Sequence, residues 1–467
     1  MSSTNFYFDN LLTDKIKFGK YQYITTFFCG CLYLCEACEL TAISLTLPII
    51  KNDLKVSTSY ITTLASFLFL GIFIGSTFSG FILDNFGRVK LLNISSLLLF
   101  IVGIISAFIQ NQTIFLLLRF LIGLLIGLQM LVGYVLMTEI STKDIRGKAN
   151  VRMVGFWSLG GLLCVLIAYF TLDDLSTGNW RVLIGLSAVP NLPLFLGSLL
   201  YMFESPRFLI IVDKIDEAVH NLNKIGEVNN GVEFKPIEEI EKEKLILWGE
   251  TQKQVKRANI AELFRPGIKN ATIMVWMISL SANFIYYGVT YVSPLFLNLV
   301  ESSSNSNNSS GLLQFTIIIL GEVPGIIFVY FVIDNQYFGR KKSIMYSSIA
   351  NILVFILCCK YYLNWIVFLF FFSKTFVAMT FLFMNQYTAD LYTTSNRGLG
   401  MGWYNAIGKI ASFLMPMIVT PTFVISPVLT LILFVGFALI GAIFSYFLNE
   451  DFTGKEIDQN IIKLLNF

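Results

Sequence analysis

The stretch Gly80–Lys90, GFILDNFGRVK, joins two apolar runs of the chain, and Asp334–Lys342, DNQYFGRKK, joins two apolar runs in its second half. Both stretches contain a Gly-Arg pair followed by at least one more basic residue. The pairs begin at Gly87 and Gly339, which lie 252 residues apart. This match raises the question of whether the chain consists of two related halves.

A second motif repeats at nearly the same spacing. An acid, six intervening residues and an Arg-Gly pair form Glu139–Gly147, and the same pattern forms Asp390–Gly398, 251 residues further along the chain. The arginines of the two copies are Arg146 and Arg397. Two different motifs that recur at one offset are hard to obtain by chance, so we predict an internal repeat.

The composition predicts a membrane protein. Of the 467 residues, 55% are hydrophobic and 13% are charged, and the mean hydropathy is +0.70. Soluble globular domains of this length do not show such values. We therefore searched the chain for apolar runs of about 20 residues, the length that crosses a bilayer as a helix.

Twelve such runs divide the chain into two sets of six. They lie at roughly 21–50, 60–83, 91–109, 113–137, 152–172, 181–202, 270–298, 312–334, 343–361, 364–390, 398–423 and 426–448. We predict an all-α membrane protein with a leading tail (1–20), a six-helix bundle (21–202), a polar central loop with short helices (203–269), a second six-helix bundle (270–448) and a trailing tail (449–467). Six helices return the chain to its starting side, so the repeats are parallel, and a solute site is expected between them near the midplane.

The distribution of Lys and Arg predicts the orientation. If the amino terminus is cytosolic, 26 of the 33 basic residues lie on the cytosolic side, 4 lie outside and 3 lie within helices. The positive-inside rule then places both termini in the cytosol. The net charge of +3 reflects this bias, and we expect no binding to nucleic acid. The amino-terminal residues lack the pattern of a cleavable signal peptide.

The repeated motifs suggest a conformational latch at the cytosolic ends of the helices. An acid at one helix end can cap the positive amino end of a neighbour, while loop Arg and Lys residues pair with acids on adjacent helices. The alternative is that these basic residues only set the topology. The latch residues are Asp84, Gly87, Arg88, Lys90, Glu139 and Arg146 in the first half and Asp334, Gly339, Arg340, Asp390 and Arg397 in the second.

These motifs resemble those of the major facilitator superfamily over essentially the whole chain. The supporting strings include CEACEL in the first helix, RFLIGLLIG from Arg119, ESPRFL, WMISLSANFIYYG in the seventh helix and GEVPG in the eighth. Within the superfamily they resemble the organic-ion transporters and the synaptic-vesicle-protein-related group. The loop after the first helix spans only about Lys51 to Ser59, whereas animal organic-ion carriers have a large external domain there. Sugar porters, which share ESPR, are the alternative resemblance.

Six charged residues lie away from the ends of the predicted helices, where an ionised side chain costs ~2.5–3.5 kcal/mol on insertion scales. They are Glu36, Glu39, Arg119, Glu322, Lys374 and Lys409. The two acids of the first helix are spaced i and i+3, so we expect them to share one face and one environment. We interpret all six as candidates for solute binding or coupling, with Glu36 and Glu39 as candidate proton carriers. A purely structural pairing of the lysines with acids is the alternative.

Neutral side chains are predicted to complete the site. Tyr286, Tyr287, Trp276, Asn385 and Gln386 would supply aromatic and hydrogen-bonding surface to a cavity. No metal or cofactor is expected, because His220 is the single histidine and the stripe of Cys31, Cys35 and Cys38 is typical of packing residues in lipid. Asn111, Asn307 and Asn308 lie in glycosylation motifs of predicted external loops, or else the last two belong to a flexible linker.

These observations predict a transporter. The first hypothesis is a monomeric secondary or facilitative carrier of a small organic solute, such as an organic ion or an aromatic monocarboxylate, that works by alternating access and is coupled to protons or uncoupled. A sugar porter is the alternative, and a vesicle-resident binding protein without transport is a second one. No motif of an enzyme is present. The location is a plasma or vesicle membrane.

Overall fold

The computed structural model describes residues 7–142, 145–254, 260–304, 310–333, 338–392 and 397–448. Twelve helices in these ranges are long and apolar enough to cross a membrane. Those of the first half are α1 (Lys20–Asp53), α2 (Thr58–Phe86), α3 (Arg88–Phe108), α4 (Gln112–Ile140), α5 (Arg146–Thr171) and α6 (Trp180–Tyr201). Those of the second half are α7 (Lys269–Ser304), α8 (Ser310–Leu320 and Glu322–Val332), α9 (Arg340–Tyr361), α10 (Asn364–Leu391), α11 (Arg397–Ile425) and α12 (Pro427–Tyr446). The predicted fold class is confirmed.

The second half contains one broken helix and one sharp junction between consecutive helices. Helix α8 is broken at Gly321 into Ser310–Leu320 and Glu322–Val332, and α9 meets α10 at Tyr361, whose backbone is not helical. A β-carbon at Gly321 would lie 2.3 Å from the carbonyl oxygen of Phe371 on α10. The break therefore lets α8 and α10 approach closely and places Glu322 at the start of a new helical segment.

The two halves meet along three helix pairs. Helix α2 packs on α11, α5 packs on both segments of α8, and α1 contacts α7. A large apolar cluster spans both halves and contains residues of α1, α2, α5, α7 and α10. The central region of the protein is thus an interface between the two six-helix bundles.

Glycines set the spacing inside the first half. Helices α2 and α4 pack through Gly71, Gly75, Gly123 and Gly127, and a β-carbon at any of these positions would lie between 2.0 and 2.3 Å from a backbone oxygen of the facing helix. Small residues commonly allow membrane helices to approach at such short distances. The motif RFLIGLLIG supplies two of the four glycines, so it has a direct structural role.

The segment before α1 is folded against the side of the protein that carries the central polar segment. Phe8 is buried and stacks on Trp248 with ring centroids 5.0 Å apart. The ammonium of Lys15 lies 2.5 Å from the carboxylate of Glu241. Partial burial raises the pKa of Glu241, but the hydrogen bonds from Lys15 and from the backbone of Glu238, together with the charges of Lys15 and Lys244, outweigh it and lower the pKa below its usual value. Residues from Tyr7 onward are therefore an ordered part of this face.

The central polar segment is largely helical in the described residues. Its helices are Pro206–Ile211, Ile215–Asn230 and Glu239–Gln254. Asn229 links them to the membrane bundle, since its Oδ1 accepts a hydrogen bond from the backbone N–H of Tyr21 and its Nδ2 donates one to Gln22. The short helices thus cover the ends of the first bundle.

The close approach of α2 and α4 generates a prediction. Gly123→Ala places a methyl group against the carbonyl oxygen of Leu68, so we expect a loss of roughly 1–3 kcal/mol of stability or more from overpacking. The melting temperature of the purified protein in detergent measures this change. Gly80→Ala, also on α2 but with no atom within 4 Å of the new β-carbon, is the matched control and should melt like the parent. Equal melting of both variants would contradict the packing.

Candidate solute-binding site

All six intramembrane charges are buried, each side chain being at most 4% exposed. Glu39 pairs with Arg119 inside the first half, and Glu322 pairs with Lys374 inside the second. Glu36 and Lys409 are left facing each other across the interface.

The pair of Glu322 and Lys374 is the centre of a hydrogen-bond network. The Lys374 ammonium lies 3.0 Å from Oε1 of Glu322 and donates to Oγ1 of Thr290 at 2.6 Å. The hydroxyl of Tyr286 donates to the same carboxylate oxygen at 2.6 Å. The ammonium also lies 3.6 Å from the centroid of the Tyr286 ring, within cation–π range. The buried lysine is therefore balanced within its own half.

Two residues of α5 connect this network to the other half. Ser158 donates a hydrogen bond to Oε2 of Glu322 at 2.9 Å, and the indole N–H of Trp157 donates to the hydroxyl of Tyr286 at 2.5 Å. Both bonds cross from the first bundle to the second. A relative movement of the halves would therefore have to break them.

The second ion pair lies wholly within the first half. A guanidinium nitrogen of Arg119 is 3.6 Å from the carboxylate of Glu39, and another donates to the hydroxyl of Ser106 on α3. The guanidinium also lies over the ring of Phe115. The guanidinium of Arg119 is therefore paired inside the protein and does not extend to the membrane surface.

Glu36 and Glu39 do not share one environment, which corrects the expectation from their spacing. Glu39 is turned toward α3 and α4, whereas Glu36 interacts electrostatically with Lys409 of α11. The Lys409 ammonium donates to the hydroxyl of Tyr287 at 2.7 Å and to the amide oxygen of Asn283 at 3.3 Å. The two acids therefore have different partners.

A cavity lies between the halves beside Lys374. Aromatic rings, three of them from tyrosines, form much of its wall, together with aliphatic side chains, two aliphatic hydroxyl groups and one ammonium. The lining residues are Leu40, Ile43, Ser44, Leu47, Ala65, Phe69, Trp157, Tyr286, Tyr287, Thr290, Tyr291 and Lys374. Its volume of about 20 Å³ holds a water molecule but no organic solute.

The halves touch on both sides of this cavity. Toward the central segment, Arg152 of α5 donates to the hydroxyl of Tyr330 on α8 at 3.0 Å. At the opposite end of the same helix pair, the hydroxyls of Tyr169 and Thr316 are 3.5 Å apart. The described conformation is therefore closed around the cavity.

Some predicted residues lie elsewhere. Gln386 donates to Asp390 at the latch end of α10, and Trp276 packs against Phe264 and Trp403. Neither lines the cavity, and Asn385 is not among its lining residues either. Tyr286 and Tyr287 do line it. The sequence analysis missed Trp157, Phe69, Tyr291 and Thr290, since nothing in an apolar run distinguishes such residues from those that face lipid.

The latch of the first half forms as an ion-pair cluster. Arg88 lies 2.9 Å from the carboxylate of Glu139 and 3.2 Å from that of Asp84. Gly87 has a φ of +95°, which favours glycine and turns the chain between α2 and α3. Lys90 is exposed and contributes its backbone N–H to the cap described next.

Glu204, in the ESPRFL string, lies beside this ion-pair cluster and was not predicted from the sequence. Its carboxylate accepts hydrogen bonds from the backbone N–H groups of Arg88 at 2.8 Å, of Val89 at 3.1 Å and of Lys90 at 3.4 Å. It therefore caps the amino end of α3, where a negative charge is stabilising. An acid followed by Ser-Pro is the only local signal for it.

The second copy of the latch is partly described. Arg340 pairs with Asp390, the counterpart of the Arg88 and Glu139 pair, and Gly339 has a φ of +60°. Asp334 lies outside the described residues, as do Asn307 and Asn308 among the glycosylation candidates. The side chains of Arg146 and Arg397 likewise lie outside the described part of the structure.

Asn111 caps α4 by accepting hydrogen bonds from the backbone N–H groups of Thr113 and Ile114.

The sequence matches a known family of membrane transporters over nearly its whole length. The family described as "Sugar (and other) transporter" matches residues 4–460. The chain belongs to this family, and the predicted resemblance to the major facilitator superfamily and to its synaptic-vesicle-protein-related group is confirmed. It is a multi-pass membrane transporter of small solutes.

Two relatives and one solved structure are similar to this chain over most of its length. Over 467 residues the chain is 27% identical to the synaptic vesicle 2-related protein of Bos taurus, covering 96% of this chain and 81% of that protein. It is 23% identical to the niacin transporter NiaP of Acinetobacter baylyi, covering 87% and 88%. Its fold matches the proton:xylose symporter XylE bound to 6-bromo-6-deoxy-D-glucose, with a TM-score of 0.76, 19% identity and 95% and 99% coverage.

The cap on α3 leads to a prediction. Glu204→Ala removes the acceptor of the first three backbone N–H groups of α3, and we expect a loss of about 1–2 kcal/mol of stability. Thermal unfolding in detergent measures it. Glu227→Ala, an exposed acid on Ile215–Asn230, is the control and should leave the midpoint unchanged. A Glu204→Ala variant that unfolds with the control would show that the cap contributes nothing.

Proposed function

We propose that the protein transports a small organic anion with a planar ring, such as an aromatic monocarboxylate, by alternating access. The observation that supports this proposal is the lining of the cavity. Five aromatic rings surround it, and Lys374 is the one cationic side chain among its described lining residues. A carboxylate can bind the ammonium while the ring stacks on the aromatic wall.

The geometry supports Lys374 as the carboxylate partner. Its ammonium already donates a hydrogen bond to one carboxylate, that of Glu322, at 3.0 Å. A solute carboxylate that enters the cavity would compete with Glu322 for Lys374 and for the hydroxyl of Tyr286. Glu322 also accepts a hydrogen bond from Ser158 of the other half. Binding of the solute would therefore alter a hydrogen bond that joins the two halves.

Sugars fit this lining less well. A sugar offers many hydroxyl groups, and its sites supply several convergent donors and acceptors. Within the described lining, Ser44 and Thr290 provide aliphatic hydroxyls, and no Asn, Gln, Asp or Glu contributes. One relative is named as a transporter of niacin, an aromatic carboxylate, which agrees with the preference for an anion. We keep sugars as the alternative.

Transport, as opposed to binding alone, is supported by the contacts between the halves. The crossing hydrogen bonds of Trp157, Ser158 and Arg152 are polar and can be exchanged for water. The latch of Arg88 adds ion pairs at helix ends. The closed cavity then corresponds to an intermediate between states open to either side. We place both termini in the cytosol, on the basis of the distribution of basic residues.

We further propose that transport is coupled to protons through an acid of α1. A proton:xylose symporter shares the fold, and buried acids are the groups that can exchange a proton within the membrane. Glu36 and Glu39 are the two candidates.

Uptake into proteoliposomes tests the substrate class. We expect uptake of labelled nicotinate and benzoate above the level of protein-free liposomes, and little uptake of nicotinamide and benzamide, which keep the ring but lack the charge. Xylose and glucose test the alternative. Uptake of the sugars, or equal uptake of acids and amides, would contradict the proposal.

A paired substitution tests the role of Lys374. Lys374→Gln alone would leave the Glu322 charge buried without a partner, so we combine it with Glu322→Gln. We expect the double variant to fold and its half-saturating nicotinate concentration to rise by about tenfold or more, the equivalent of one lost charge-assisted hydrogen bond. The control is Lys360→Gln at an exposed lysine. An unchanged half-saturating nicotinate concentration in the double variant would exclude Lys374 as the partner of the solute carboxylate.

A further inference from the structure

Two basic residues lie at the edge of the interface between the halves, and neither of them lines the solute cavity. Lys148 and Arg152 are spaced i and i+4 on α5, so they share one face of this helix. The Arg152 guanidinium donates to the hydroxyl of Tyr330 on α8 at 3.0 Å and lies 5.7 Å from the ring centroids of Tyr330 and of Tyr23 on α1. Lys148 is near enough to act electrostatically on Tyr330. Three helices therefore converge on these two cations.

Neither cation has an acidic partner within the described part of the chain. The side chains that act on Arg152 are the two neutral tyrosines, and no ion pair of a described residue includes Lys148. Arg88 and Arg340, which also lie at this end of the helices, each pair with an acid. Among the described residues, the cluster of Lys148 and Arg152 therefore has an excess of two positive charges.

The cluster lies at the depth where lipid headgroups meet the acyl chains. Helix α5 begins at Arg146, so Arg152 is about six residues, or about 9 Å, inside the helix. Tyrosine is typical of this level of a membrane, and the side chains of Lys and Arg extend from it toward the headgroups. Tyr23 is 55% exposed. The cluster is therefore accessible from the lipid side of the protein.

An apolar groove continues from the cations toward the middle of the membrane. Gly155 lies next along α5, and the nearest neighbour of an added β-carbon there would be Cγ2 of Ile326 on α8, at 3.8 Å. Leu159, one turn further, is 50% exposed. Phe27 of α1 is 52% exposed and packs edge-on against Phe156, with ring centroids 5.8 Å apart. The groove between α5 and α8 is thus bordered by apolar side chains that face lipid.

A phospholipid matches both ends of this surface. Guanidinium and ammonium groups bind phosphate oxygens, and Arg152 keeps further N–H donors beside the one that bonds to Tyr330. Free phosphate would use the cations but leave the apolar groove uncovered. The choline of phosphatidylcholine would bring another cation to the cluster, so a lipid with a net negative charge fits better. Basic pockets between membrane helices are known to bind such headgroups.

We propose that an anionic phospholipid binds in this groove, with its phosphate on Lys148 and Arg152 and one acyl chain along Gly155. In the proposed orientation it belongs to the cytosolic leaflet, where anionic lipids are found. The hydrogen bond between Arg152 and Tyr330 joins the halves, so a lipid that holds Arg152 stabilises their closed arrangement at this edge. The inference does not depend on which solute the protein carries.

Native mass spectrometry of the full chain in detergent measures the bound lipid. The probes are dioleoylphosphatidylserine, dioleoylphosphatidylcholine and inorganic phosphate. We expect one phosphatidylserine to stay bound at concentrations at which phosphatidylcholine is lost, and to raise the melting temperature of the protein. Equal retention of the two lipids would overturn the proposal. An equal rise in melting temperature with inorganic phosphate alone would assign the site to the free ion and would overturn it as well.

Substitution of the cations tests which residues hold the phosphate. Lys148→Gln and Arg152→Gln should each weaken phosphatidylserine binding about fivefold, the contribution of one basic residue near a membrane surface, and together about 25-fold. Lys269→Gln, at an exposed lysine where α7 begins at the same end of the bundle, is the matched control and should bind like the parent. A double variant that binds the lipid as tightly as this control would contradict the assignment.

The groove can be tested without changing any charge. Gly155→Leu fills the space between α5 and α8, so we expect phosphatidylserine binding to weaken several-fold although both cations remain. Gly436→Leu is the control, since Gly436 is an exposed glycine of α12 with no atom within 4 Å of an added β-carbon. Binding that is the same in both variants would show that no acyl chain lies along Gly155.

Discussion

The constraint on which this structure depends is the cost of an ionised side chain at the middle of a membrane. Six such side chains lie between or within the two bundles, and each is buried. Two ion pairs, Arg119 with Glu39 and Lys374 with Glu322, are held inside one half. Their helices can move as rigid units without separating the charges. Glu36 and Lys409 face each other across the interface. Their separation, and the shape of the cavity beside them, would change when the two halves move relative to each other.

Much of the architecture could be predicted from the sequence because its signals are local or repeated. Apolar runs define the twelve helices, and the two Gly-Arg loops at one offset predict the repeated halves. The buried charges were also found, since a charged residue in an apolar run is rare. Arg88 and Arg340 form ion pairs with acids at corresponding places of the two halves, whereas the latch function stays a prediction.

The partners of these charges could not be predicted in the same way. Glu36 and Glu39 are about 60° apart around α1, and this angle suffices to direct one toward α11 and the other toward α4, because α1 is packed on all sides. The cap by Glu204 joins residues 116 positions apart and has no periodic signal. Trp157 carries no charge, and its position at the cavity follows from the packing of α5 on the second half.

The central claim is that the solute binds in the cavity between the halves, with its charge on Lys374 and its ring on the aromatic wall. The most direct measurement is a cryo-EM structure of the protein with nicotinate. The account predicts density for the carboxylate within hydrogen-bond distance of the Lys374 ammonium and for the ring beside Tyr286 and Trp157. Nicotinate bound away from Lys374, with the Lys374 and Glu322 pair unchanged, would contradict it.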